Sequence, residues 1–394
     1  MIRKGTGILM CFFLSVMSCT TDRGYDVAYK DSSANSAPVD IPDAGKPGIV
    51  TAGEWSDLDN WAFWSNLMTQ RQSNNQGDNY TVMKDTWRVY TNRRVSVVVS
   101  DEAGNRLNEV KVELKSGEQI VWTARTDNQG CAEAWVGLFD PTFQAGELSI
   151  SLNGVKQDTP PTLTTWESPV TYTNHYVISS PAPEAIADIL FIVDATGSML
   201  DEIDFLKADL TNILQKVGEM NAGTTIRTGA LFYRDLEDEY LTITSPFTEN
   251  SGTTIDFISK QTASGGGDYP EAVHTALEVS LKEFSWSPSA KARLAFMLLD
   301  APPHREVQGV LESIQESLTA YSAKGIKLIP VASSGVDKST EFALRFYAMA
   351  TGSTYVFITN DSGVGQMHIV PTVGEYKVEL LNDLMVRLIS KYLE

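Results

Sequence analysis

Three short, oxygen-rich stretches stand out in the second half of the chain. They are Asp194-Ala195-Thr196-Gly197-Ser198, Gly265-Gly266-Gly267-Asp268, and Asp300, which is followed by Ala301-Pro302-Pro303-His304. Carboxylates and hydroxyls are hard donors, suited to a divalent cation such as Mg²⁺ rather than Zn²⁺. Asp194, Thr196, Ser198, Asp268 and Asp300 are therefore the candidate metal ligands. Asp268 has a second reading, as the cap of a helix beginning at Pro270. Ser198, His304 and Asp300 can be drawn as a hydrolytic triad, but no nucleophile elbow accompanies them. His304 is better read as a loop residue that hydrogen-bonds locally. The glycine run lacks the Lys and the spacing of a P-loop. No catalytic residue is assigned, and the chain is expected not to be an enzyme.

Ligands so far apart in sequence need a scaffold that gathers them. Residues 188–193 (DILFIV) form a continuous apolar run, the mark of a strand buried on both faces. Leu200, Ile203, Leu206, Leu210, Ile213 and Val217 then recur at helical spacing, predicting an amphipathic helix over 199–217. Further strands are predicted at 224–233, 241–248, 292–299, 326–332 and 354–359. Helices are predicted at 254–261, 270–284, 308–323, 339–350 and 375–393. Repeated βα units mean an α/β fold with a doubly wound, mostly parallel sheet. In such a sheet, ligands bind beyond the carboxyl ends of the strands where strand order reverses.

Residues 185–394 resemble the von Willebrand factor A (VWA) family. The metal-ion-dependent adhesion site (MIDAS) of that family uses D-x-S-x-S, a Thr after a Gly-rich loop, and a later Asp. Asp194, Thr196 and Ser198 fill the first element, and Asp300 matches the last. The stretches GGGDYPEA (265–272) and TGSTYVFITNDSGVG (351–365) look like a bacterial secreted branch of the family. The resemblance implies one bound divalent cation, Mg²⁺ foremost, with Mn²⁺ or Ca²⁺ as alternatives, and a protein partner. Asp268 stands where the family has Thr. Three carboxylates around a dication leave a net negative charge, which favours the cation and disfavours an acidic partner residue.

The first half reads differently. Val95, Val97 and Val99 alternate with polar residues. So do Val110, Val112 and Leu114, then Ile120, Trp122 and Ala124, then Ala132, Ala134 and Val136, and finally Leu148, Ile150 and Leu152. Short alternating strands between turn residues predict a small antiparallel β-sandwich at 93–157. The runs V-x-V-x-V-x-D-x-x-G (95–104) and T-D-x-x-G-x-A (126–132) resemble the prealbumin-like family of carboxypeptidase-regulatory and Cna-B-like domains. That resemblance implies a spacer or adhesive module. Residues 51–92 are expected as a Trp-rich helical segment, and 158–184 as a Pro-rich linker with room for one strand at 170–178.

Residues 1–18 read as a signal peptide: Arg3 and Lys4, then an apolar run too short for an ordinary transmembrane helix. Val16-Met17-Ser18-Cys19 resembles a bacterial lipobox, which implies cleavage before Cys19 and acylation of Cys19. Residues 19–50, rich in Asp, Ser, Ala, Pro and Gly, read as a flexible tether. Losing Cys11 and lipidating Cys19 leaves Cys131, expected to be a small buried hydrophobe. The composition agrees with this placement. Fifty acids against 31 Lys and Arg give a net charge of −19. That balance argues against nucleic acid and against docking on anionic lipid through a basic patch. The expected protein is a lipid-anchored component of the bacterial cell envelope, with the outer membrane as its site, that recognises a protein partner in adhesion or assembly. The alternatives are a structural scaffold with a purely stabilising metal, or a metal-dependent hydrolase using His304.

Overall fold

The computed structural model of the chain describes residues 46–70, 79–168, 170–220 and 223–394. The expected signal peptide, Cys19 and most of the tether lie outside the described residues. In chain order the first elements are β1 (Thr51–Trp55), α1 (Trp61–Thr69), α2 (Tyr80–Trp87), β2 (Arg94–Ser100), β3 (Lys111–Ser116), β4 (Gln119–Arg125) and β5 (Cys131–Trp135). There follow β6 (Leu148–Leu152), β7 (Val155–Lys156), β8 (Thr173–Val177), β9 (Glu184–Asp194), α3 (Leu200–Met220), β10 (Thr225–Tyr233), β11 (Thr242–Thr248) and α4 (Ser251–Ser259). The chain ends with α5 (Val273–Lys282), β12 (Ala290–Leu299), α6 (Val310–Lys324), β13 (Ile326–Ala332), α7 (Lys338–Ala350), β14 (Tyr355–Ile358), β15 (Val378–Leu380) and α8 (Leu381–Leu393).

The apolar runs of the second half build one sheet of eight strands, in the order β11-β10-β9-β12-β13-β14-β1-β15. The five strands from β10 to β14 are parallel. Antiparallel strands close both edges. Ile189, Phe191 and Val193 of β9 pack with Leu206 and Leu210 of α3 and with Leu384 and Leu388 of α8. Leu190 and Ile192 face the other way, toward Leu277 of α5, Leu318 of α6 and Phe346 of α7. Helices on both faces explain why β9 and β12 read as continuous apolar runs rather than alternating ones. The chain goes from β9 to β10 on one side and later to β12 on the other. Strand order therefore reverses between β9 and β12, and a crevice opens at their carboxyl ends.

Three stretches depart from the expected boundaries. Thr51–Trp55, within the stretch expected as a Trp-rich helical segment, is a strand between β14 and β15. Gly53 permits this, because a Cβ there would lie 2.6 Å from the ring of Phe357. The end of the expected tether is docked as well: Val50 is buried, and the Gly48 amide donates to Asp209 Oδ1 at 2.6 Å. At the other terminus, residues 378–380 form the edge strand on β1, so the last helix starts at Leu381 rather than 375.

The alternating strands form two small sheets, β5-β2-β8 and β4-β3-β6-β7. The strand β8, from the expected linker, pairs with β2 in parallel. These sheets are not a spacer held off from the large one. Val97, Leu114, Ala134 and Ile150 share a core with Trp64, Leu318 and Phe346. Trp122 Nε1 donates to Ser322 Oγ of α6 at 3.0 Å, and Arg293 of β12 grips Glu109 with two hydrogen bonds, at 2.8 and 3.0 Å. Cys131 is half-buried rather than buried, and burial first, then Asp127, pushes its thiol up to about 11. Such a thiol is poorly reactive. Among the described residues, no helix is long and apolar enough to cross a membrane.

Candidate metal centre

The crevice is lined by carboxylates. Asp194 is the last residue of β9, and Asp300 directly follows β12, its neighbour. After Asp194 the chain turns sharply into α3. The Thr196 amide and hydroxyl both donate to Asp194 Oδ1, at 2.9 and 2.7 Å. The hydroxyls of Thr196 and Ser198 lie 3.2 Å apart. Ser198 is also close enough to Asp300 to favour its charged form. Two main-chain bonds bring the Gly-rich loop against this turn: Ser264 N to Ala195 O at 3.0 Å, and Gly197 N to Gly265 O at 3.1 Å. Gly266 then passes so close that a Cβ would lie 3.0 Å from Glu271 Oε1 and 3.3 Å from Thr196 Cβ, with φ +72°. That position requires glycine.

The third carboxylate of the crevice is Glu271, which the sequence reading missed. Its amide donates to Pro302 O at 2.8 Å, which fastens it to the loop that follows Asp300. It is 2% exposed, and Thr196 is near enough to hydrogen-bond it. Asp194 Oδ2, Asp300 Oδ1 and Glu271 Oε2 are all buried and have no hydrogen-bond partner among the described residues. Buried carboxylate oxygens left unpaired are costly. Three together, beside two hydroxyls, fit a hard dication.

The electrostatics agree. Burial, and then the charges of Asp194, Asp235 and Asp300, push the Glu271 carboxyl up to about 9. Burial raises Asp194 and Asp300 too; the charge of Asp235 adds to the first effect and that of Asp194 to the second. Groups with folded pKa values above the ordinary carboxylate range of about 4 hold extra protons in the folded state. Their contribution to stability is fully present below about pH 4 and is lost as pH rises through about 9. A cation replaces those protons. In chelator, the unfolding temperature is therefore expected to fall as pH is raised from 5 toward 9. Saturating Mg²⁺ is expected to shrink that fall, so that the gap between the two melting curves widens with pH. A gap that narrows with pH counts against a cation at these carboxylates.

Two sequence expectations change here. Asp268 does not complete this group: it is exposed, and its carboxylate lies with Asp235 and His304. It does not cap the following helix either, which begins at Val273 with Ala272 as its N-cap residue. The reason is the path of the main chain. Glu271 is pulled toward Pro302, which turns Glu271 inward and leaves Asp268 on the outer side of the loop. His304 is not part of a triad with Ser198. Its Nε2 lies 2.7 Å from Asp235 Oδ1 and its Nδ1 3.2 Å from Glu306 Oε1, so both ring nitrogens are engaged elsewhere. His368 meets Glu202 Oε1 at 2.8 Å.

Residues 188–321 match the family model of the von Willebrand factor A domain. An ariadne-like RING finger protein of Acanthamoeba polyphaga mimivirus is 28% identical over 202 residues, which is 47% of this chain and 20% of that protein. The alpha-protein kinase vwkA of Dictyostelium discoideum is 30% identical over 142 residues, 36% of this chain and 22% of the kinase. The chain thus spans about a fifth of the length of these curated relatives. Among solved structures, BatB of Bacteroides thetaiotaomicron covers 52% of this chain and 98% of its own, at 14% identity and a TM-score of 0.37. An aerotolerance-related membrane protein of Bacteroides fragilis has the same coverage, with 13% identity and a TM-score of 0.33. Domains of the matched family generally mediate metal-dependent protein interactions. Residues 188–321 of this chain are thus similar to the von Willebrand factor A domain, and they lie in a mixed α/β fold with a large, mostly parallel sheet.

Proposed function

We propose that the chain binds one divalent cation at Asp194, Thr196, Ser198, Asp300 and Glu271, and recognises a protein partner over that centre without turnover. The observation that carries this reading is the trio of buried, unpaired carboxylate oxygens at the strand-order reversal. All the donors are oxygens, which favours Mg²⁺, with Mn²⁺ or Ca²⁺ as substitutes. The cation's role is to offer a coordination position to an oxygen of the partner. With three carboxylates already present, a neutral oxygen suits that position better than a carboxylate.

The surroundings support a protein surface as the partner. Leu200, Leu236, Tyr269 and Val307 lie on the loops and helix start beyond the strand ends, and they are 63%, 45%, 43% and 45% exposed. Large apolar side chains exposed around a polar centre are typical of docking surfaces. We place the protein in the bacterial cell envelope, held by lipid on Cys19. Capture of proteins from envelope extract on the immobilised chain tests the reading. A protein retained in Mg²⁺, released by EDTA, and not retained by Asp300→Asn is the expected result. Retention that ignores both EDTA and Asp300→Asn would sink it.

A further inference from the structure

The residue that the crevice leaves out points to a second centre. Asp235, Asp268 and His304 stand on three different loops: after β10, in the Gly-rich run, and after β12. Each offers one ligand atom, and these atoms all lie within 4.8 Å of one another. Asp235 is 5% and His304 6% exposed, whereas Asp268 faces solvent. Together they line a cleft of about 330 Å³ with Asp238, Gly266 and Gly267. The loops are well supported. Arg234 Nε donates to Ala195 O at 3.2 Å, and Asp238 Oδ2 accepts from the Asp235 amide at 3.0 Å.

His304 itself carries the argument. A carboxylate lies at each ring nitrogen, Asp235 at Nε2 and Glu306 at Nδ1. A neutral imidazole can donate from only one nitrogen. With Nδ1–H given to Glu306, the short contact between Nε2 and Asp235 needs a cation between them, either a proton or a metal. A carboxylate on the far nitrogen is also the usual support of a metal-bound His, because it fixes the tautomer and makes the ligand more basic. The cleft is strongly negative as well. Asp235 acts on Asp194 and Glu271 of the first centre, so a second cation would ease repulsion across both.

We propose that Asp235, Asp268 and His304 form a second cation site, separate from the Asp194 centre and selective for Zn²⁺ over Mg²⁺. The donor sets explain the difference. The first centre offers only oxygen, whereas the second offers an imidazole nitrogen, which suits Zn²⁺ and Co²⁺. Glu306 is the outer partner of His304. Asp268, being exposed, is the ligand through which the ion enters.

The test uses the full chain, stripped with chelator and held in saturating Mg²⁺. Zn²⁺ is titrated by calorimetry, and Co²⁺ by its visible absorption. One equivalent of either is expected to bind per chain without displacement by Mg²⁺. Asp268→Asn is on the surface and is expected to fold normally, while Zn²⁺ affinity falls about 10–100-fold or more. Asp194→Asn is expected to retain the Zn²⁺ equivalent. No Zn²⁺ binding in the parent overturns the proposal. So does binding that survives Asp268→Asn but disappears in Asp194→Asn, which would put the zinc in the first centre. Loss of Mg²⁺ binding everywhere with Zn²⁺ binding intact would overturn the Mg²⁺ reading alone.

Discussion

Asp194→Asn is expected to abolish the magnesium-dependent stabilisation of the chain and, in chelator, to leave a protein more stable than the parent. The two halves of this result have one cause. In the parent, a cation at a hundred times its dissociation constant adds about 2.7 kcal/mol to stability. Losing even an outer partner of a ligand weakens a metal about 10–100-fold, and here a charged ligand itself is lost. If the loss is a hundredfold or more, the linkage gain at the same cation concentration drops to about 0.4 kcal/mol or less. Without metal the sign reverses. The Asp194 charge is fully buried with Oδ2 unpaired, and it opposes ionisation of Asp300 and Glu271. Asn keeps an oxygen that can accept from the Thr196 amide and hydroxyl, and it removes the charge. Thermal unfolding in EDTA and in Mg²⁺ measures both effects. A variant that is less stable than the parent in EDTA, yet still gains from Mg²⁺, would mean that Asp194 is a structural acid.

The metal-free cost of this crevice also explains which parts of it could be read from the sequence. Asp194 and Asp300 were legible because each ends a long apolar run, and a strand buried on both faces announces its own end. Thr196 and Ser198 follow Asp194 at fixed short spacing within one turn. Glu271 was not legible. The stretch Gly-Gly-Gly-Asp-Tyr-Pro-Glu offers two acids, and local spacing favours the one nearest the glycines. The choice is made by a main-chain bond to Pro302, some thirty residues away in sequence. The signal that could have found it was the second acid itself, placed just before an apolar helix and therefore near its buried end. Asp235 escaped for a similar reason: nothing local ties it to His304, 69 residues later. The strand Thr51–Trp55 escaped because TAGEW has no alternation of its own. It is a strand because the edge of β14 accepts it, and the pairing spans the whole domain. The large sheet was thus readable from its core outward, and its edges and partner residues were decided by contacts that no short window contains.

One buried ion pair fastens the segment after β1 to the large sheet's helices, and Asp57→Ala is expected to cost about 3–5 kcal/mol. Arg345 of α7 is fully buried, and Asp57, after β1, is 3% exposed. The guanidinium donates Nε to Asp57 Oδ2 at 2.8 Å and a second nitrogen to Oδ1 at 2.5 Å. Its remaining nitrogen donates to Tyr80 Oη of α2 at 2.8 Å and to Thr372 O at 2.6 Å. Trp55 Nε1 also donates to Asp57, and the cation lies 5.1 Å from the ring of Trp64. One charge pair therefore ties β1, α1 and α2 to α7 and to the loop before β15. Removing Asp57 leaves Arg345 dry, with Glu341 as its nearest carboxylate at 3.9 Å. That distant contact does not replace the two hydrogen bonds lost, and a poorly paired buried charge is far costlier than the pair itself is favourable. Asp57→Leu combined with Arg345→Met is accordingly expected to lose less stability than Asp57→Ala alone, and a double-mutant cycle reads the difference. The magnesium gain should survive in all these variants, because neither residue touches the metal ligands. Chemical denaturation with and without Mg²⁺ separates the two roles. If Asp57→Ala abolishes the magnesium gain as well, the N-terminal strand is part of the metal centre's support and not only of the fold's.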